Sequence, residues 1–85
     1  MQIQADVVSK MLEGEEVILH LKSGTYFGLN ATGTLLFNIL KSGKGRSAMI
    51  QSLIEEYELD KSSASADVDE FLETLRKHQL ICGEA

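Results

Sequence analysis

The sequence predicts an α+β fold: a three-stranded antiparallel sheet followed by three helices, winged helix-turn-helix-like, in a single domain spanning residues 1–85. Three observations carry that expectation. The first thirty residues hold β-favouring stretches separated by short turn signals. From Asn30 onward apolar residues recur at helical spacing. Glycine and capping residues then divide the helical part into three.

The strands come first. Val7 to Leu12 forms a weak strand candidate, and Glu13-Gly14-Glu15 is a turn signal. Beyond it Val17, Leu19 and Leu21 alternate with Ile18, His20 and Lys22, the period-two pattern of a half-buried strand. Ser23-Gly24 is a tight-turn pair, and residues 25–29 are rich in β-favouring types. Short turns between three strands predict an antiparallel meander.

Asn30 is a favoured N-cap, able to accept a backbone N–H from the first turn of a helix. Leu35, Leu36, Ile39 and Leu40 follow at helical spacing, and Gly43 suits a left-handed C′ position. After the connector Lys44-Gly45-Arg46, residues Met49, Ile50, Leu53, Ile54 and Tyr57 form a second amphipathic stripe. Asp60 to Ser63 offers several N-caps for a third helix carrying Val68, Phe71, Leu72 and Leu75 and ending near Gln79. Its acids lie early and Arg76 and Lys77 late, which suits the helix dipole. Leu80-Ile81 is expected to fold back onto the core.

Composition narrows the function classes. Eight Lys and Arg against thirteen Asp and Glu give a formal net charge of −5, which disfavours general attraction to nucleic acid or an anionic membrane. No basic segment followed by an apolar stretch opens the chain, and no run is long enough to cross a bilayer. The single cysteine, Cys82, has no internal disulfide partner, which fits a reducing compartment. A soluble cytoplasmic protein is expected.

Catalytic machinery is not visible: no Ser-His-Asp grouping, Walker-type loop or Gly-x-Gly-x-x-Gly occurs. His78 and Cys82 lack the further ligands that structural zinc takes, so neither metal nor cofactor is expected. What the chain does offer is an aromatic strand joined by Asn30 to a capped apolar helix. That arrangement equips a peptide-binding module, because an edge strand displays unpaired N–H and C=O groups for another extended chain.

The run Gly24-Thr25-Tyr26-Phe27-Gly28-Leu29-Asn30-Ala31-Thr32-Gly33, followed by Leu36-Phe37 and Leu40, resembles the signature of PqqD-like proteins. Ile50, Leu53, Tyr57 and Asp60, then Asp67-Val68, Phe71-Leu72, Leu75 and Leu80-Ile81, sit where that family places its helix-core positions. The resemblance implies a RiPP recognition element. Such a domain is a winged-helix-like, non-catalytic chaperone that binds the leader of a ribosomally made precursor peptide. It presents that precursor to a modifying enzyme, often of the radical SAM class, in the biosynthesis of PQQ or another RiPP. In the family the leader adds as a strand beside the third strand, with side chains dropping toward the third helix. Carried to this chain, the implied peptide-binding residues are Thr25, Tyr26, Phe27, Gly28 and Leu29, with Val68, Leu72, Leu75, Arg76 and Gln79. The turn departs from the PQQ-pathway pattern, Tyr-Pro-Glu-Gly, with Lys22-Ser23-Gly24 in its place and no proline anywhere. The resemblance is therefore to the broader group, and the peptide served stays open.

Rival functions are weaker. A DNA-binding winged helix would present Ala66-Asp67-Val68-Asp69-Glu70 to the groove, where its carboxylates repel phosphates. A carrier protein would need an Asp-Ser-Leu helix start, which is absent. A self-associating scaffold would use the same strand edge as a leader, so a homodimer stays open.

Overall fold

The computed structural model describes residues 2–83; Met1, Glu84 and Ala85, the ends of the expected 1–85 domain, lie outside the described residues. The chain runs β1 (Gln2–Ile3), β2 (Val7–Leu12), β3 (Glu15–His20), β4 (Tyr26–Gly28), α1 (Ala31–Lys41), α2 (Arg46–Tyr57), α3 (Lys61–Lys77) and β5 (Ile81–Cys82). β2, β3 and β4 form the expected three-stranded antiparallel meander in that order, followed by three helices. The sequence reading did not anticipate β1 and β5, which pair antiparallel and draw the two ends of the domain together.

The helix ends follow their local chemistry. Asn30 caps α1 by accepting the Gly33 N–H at 2.8 Å, worth about 1 kcal/mol for such caps. Asp60 caps α3 by accepting the Ser63 N–H at 2.7 Å. That bond holds the Asp60 carboxyl below its ordinary range. Gly43 closes α1 at φ +86°, with its N–H on the Leu40 carbonyl and the Lys44 N–H on the Ile39 carbonyl. This double bond pattern is a Schellman motif. α3 ends the same way, except that Gln79 holds the left-handed position at φ 59°.

Cross-strand pairing decides which side of the sheet is buried. Ser9, Ile18 and Phe27 lie opposite one another and share one face; Val8, Leu19 and Tyr26 share the other. Glu16, Ile18 and His20 are the buried positions of β3, while Leu21 is exposed beyond its end. The alternation is present, but the inner face is the one with a charge in it. Ile18 meets Leu36, Phe37, Met49, Leu53, Val68, Leu72 and Leu75 in one core.

Glu16 is tolerated there because one carboxylate oxygen and both backbone groups are engaged, although among the described residues its Oε2 is buried without a hydrogen-bond partner. It is 1% exposed. One carboxylate oxygen accepts from Lys41 Nζ at 2.6 Å. Its backbone N–H donates to Thr34 Oγ1 at 2.9 Å, and its carbonyl accepts from the Leu29 N–H at 2.8 Å. Burial alone would push the carboxyl up; the Lys41 ammonium, with the nearby Ser9 hydroxyl, outweighs it and holds the group below its ordinary value.

Replacing Lys41 by Met should strand a buried carboxylate. Lys41 is 37% exposed, so solvent screening brings the expected loss in urea unfolding to about 2–3 kcal/mol, below that for breaking a fully buried pair. The acid dependence has a definite sign. A carboxyl held lower in the folded chain contributes stability that is complete above its unfolded value of about 4.3 and lost as pH falls through the folded one. Glu16→Gln should therefore remove part of the fall in melting temperature below that pH; an unchanged profile would show that Glu16 contributes nothing to it.

Candidate functional site

β4 is an edge strand, and its ladder determines which groups it offers. The His20 N–H donates to the Thr25 carbonyl, the Leu29 N–H donates to the Glu16 carbonyl, and Phe27 lies opposite Ile18 between them. Alternate residues of an antiparallel strand face opposite sides, so Thr25, Phe27 and Leu29 are bonded inward to β3. The N–H and C=O of Tyr26 and Gly28 therefore point away from the sheet. These four groups are what the edge presents.

Beside that edge runs a groove of about 330 Å³. One wall is the β4–α1 junction, with Gly28, Leu29, Asn30 and Gly33; the other is α3, with Asp67, Glu70, Phe71 and Thr74. Leu36 lies between them. Gly33 makes the junction tight: a Cβ there would sit 3.3 Å from Leu29 Cβ and 3.4 Å from Asn30 Oδ1. A second cavity flanks α3, lined by Asp69, Glu70, Glu73, Thr74 and Lys77.

α3 divides its residues by angle. At 3.6 residues per turn, Ala64, Val68, Leu72 and Leu75 share one side, and all are buried. The adjacent stripe, Asp67, Phe71, Thr74 and His78, faces β4, and the His78 ring lies 4.6 Å from that of Phe27. Arg76 falls on the far side with Asp69. Asp69 is held by Arg46, whose Nε and Nη2 donate to its two carboxylate oxygens at 2.7 and 3.0 Å. That bidentate contact holds the Asp69 carboxyl below its ordinary range.

The residues singled out from sequence are therefore placed as follows. Gly28 and Leu29 line the groove. Phe27 is half-buried against the core and His78, and Thr25 ends the strand with its carbonyl turned inward. Tyr26 is 73% exposed, with its ring on the outer sheet face and its backbone on the edge. Val68, Leu72 and Leu75 are 0%, 2% and 2% exposed and lie in the core beneath the groove. Arg76 lies away from it, and Gln79 terminates α3 through its backbone. Asp67, Glu70, Phe71 and Thr74 were not singled out as groove contacts. Once Val68, Leu72 and Leu75 are given to the core, helical spacing alone points to that flanking stripe.

Among the described residues no group of three or more His, Cys, Asp or Glu is arranged to hold a metal. No helix among them is long and apolar enough to cross a membrane.

The β2–β3–β4 sheet thus sets an edge strand beside a groove walled by one helix. The pattern of the family "Coenzyme PQQ synthesis protein D (PqqD)" matches residues 15–81, and the chain belongs to that family. Two solved structures are similar in fold. TbiB1, in complex with the TbiA(beta) leader peptide, is 36% identical with a TM-score of 0.94, covering 100% of this chain and 99% of that one. A lasso peptide synthetase B1, complexed with the leader peptide, is 23% identical with a TM-score of 0.89, covering 96% of each. None of the curated proteins matches the chain.

Gly28 yields a prediction for the free protein. Its φ lies outside the left-handed region, and an added Cβ would meet nothing within 4 Å. Gly28→Ala should leave unfolding free energy unchanged or raise it by up to about 0.5–1 kcal/mol, since glycine weakens a strand. Leu72→Ala, in the core, should cost about 2–5 kcal/mol. Urea unfolding of the two variants checks both.

Proposed function

We propose that this protein binds the leader of a ribosomally made precursor peptide as an added strand on β4 and presents the precursor to a modifying enzyme. The observation that carries the reading is the outward N–H and C=O of Tyr26 and Gly28 beside the groove between Leu29 and Phe71. A leader strand there would bond to those four groups and turn alternate side chains toward α3. Membership of the PqqD family and the likeness to TbiB1, solved with a leader peptide, support it.

In this reading the chain is a chaperone rather than an enzyme. Chemistry, whether radical SAM or of another class, belongs to the partner that takes the presented precursor. A cytoplasmic setting fits a protein with one free thiol, Cys82. Ordering a flexible leader costs conformational entropy, so affinity is moderate for the number of contacts made. DNA binding is disfavoured, because exposed α3 positions include Asp67, Asp69, Glu70 and Glu73. A second copy pairing on β4 would compete with the leader, and sedimentation at increasing concentration separates the two.

The test is an amide NMR titration with the leader segment of a precursor encoded near this protein's gene. Shifts should concentrate at Tyr26, Gly28, Leu29, Phe71 and Thr74. Thr74→Trp, which fills the groove from an exposed position, should weaken binding about tenfold or more with little change in melting temperature. Equal binding by that variant, or shifts confined to β2, would contradict the reading.

A further inference from the structure

The groove has a composition of its own. Its interior is apolar, built from Leu29, Leu36 and Phe71, while its α3 rim carries Asp67 and Glu70. These two carboxylates are three residues apart on one helix, which places their Cβ atoms about 5–6 Å apart. Among the described residues neither forms a salt bridge. Two nearby cations are already committed, Lys41 to Glu16 and Arg46 to Asp69. Glu73 follows along the same helix, and Lys77 stands at the far end of the second cavity.

An apolar floor beneath an acidic rim fits one kind of side chain. A long aliphatic stem can lie on Phe71 and Leu36 while its cationic tip reaches both carboxylates; lysine and arginine have that build, and an arginine guanidinium also stacks on an aromatic face. A short apolar side chain would leave the rim unmet. An acidic one would be repelled by it.

We propose that the groove is a specificity site for a Lys or Arg in the bound leader, held over Asp67 and Glu70. The strand geometry gives its position. A leader residue paired with Gly28 turns its side chain to the outer sheet face, so its neighbour on the Asn30 side faces α3 and the groove. The basic residue is that neighbour. This inference rests on the strand-addition reading above and adds the chemistry of one leader position to it.

The experiment is a display selection of random 15-residue peptides on the folded protein and on the D67K/E70K variant, followed by titration of the enriched peptides. Both substitutions are at exposed positions, and circular dichroism checks the fold. Wild type should enrich Lys or Arg at one fixed position, and the variant Asp or Glu there. A wild-type-selected peptide should bind the variant about tenfold or more weakly, with the difference shrinking as salt rises. Enriched peptides that shift the Tyr26 and Gly28 amides but show no charge preference would overturn the basic-residue assignment and leave strand addition standing. Enriched peptides that leave those amides unmoved would overturn both.

Discussion

The site depends on how Glu16 ties three elements together. Through its backbone it holds the end of β4, by the Leu29 N–H, and the first turns of α1, by Thr34 Oγ1. Through its carboxylate it holds the last turn of α1, by Lys41. β4 is three residues long and has no strand partner on its outer side among the described residues, so it could not keep its place by pairing alone. Glu16 and the Asn30 cap fix where the strand stops and the helix starts. The Tyr26 and Gly28 backbone groups are thereby aimed outward at a set distance from α3.

Much of this was legible in the sequence because its causes are local. Asn30 caps and Gly43 ends α1 for reasons that need no neighbour beyond the same helix turn. The meander was legible from turn signals between β-favouring runs. The inner face of β3 was not: alternation alone does not say which set turns inward, and Glu16 is accommodated there only because Lys41, 25 residues later, is brought to it. β1 and β5 were missed because each is two residues long and neither has a pattern of its own. On α3, periodicity located an apolar stripe but left open which of its neighbours faces β4. Only the placement of Phe27 against His78 orients the helix and turns Asp67, Phe71 and Thr74 into a wall.

The division of labour on α3 also explains how one helix serves both a packed core and an open groove. Val68, Leu72 and Leu75 are committed to packing, and the stripe beside them is left to the groove. In the proposed reading the strand edge would supply affinity that asks little of the partner's sequence, since any extended chain carries the same backbone groups. In that reading, selectivity would fall to the side chains at the groove.

The most direct test of strand addition is residue-resolved amide hydrogen exchange with and without a bound leader peptide. The account predicts that the Tyr26 and Gly28 amides exchange quickly in the free protein and slowly in the complex, while Phe27, already bonded to β3, is protected in both. Bound peptide that leaves Tyr26 and Gly28 exchanging at their free rates would contradict it.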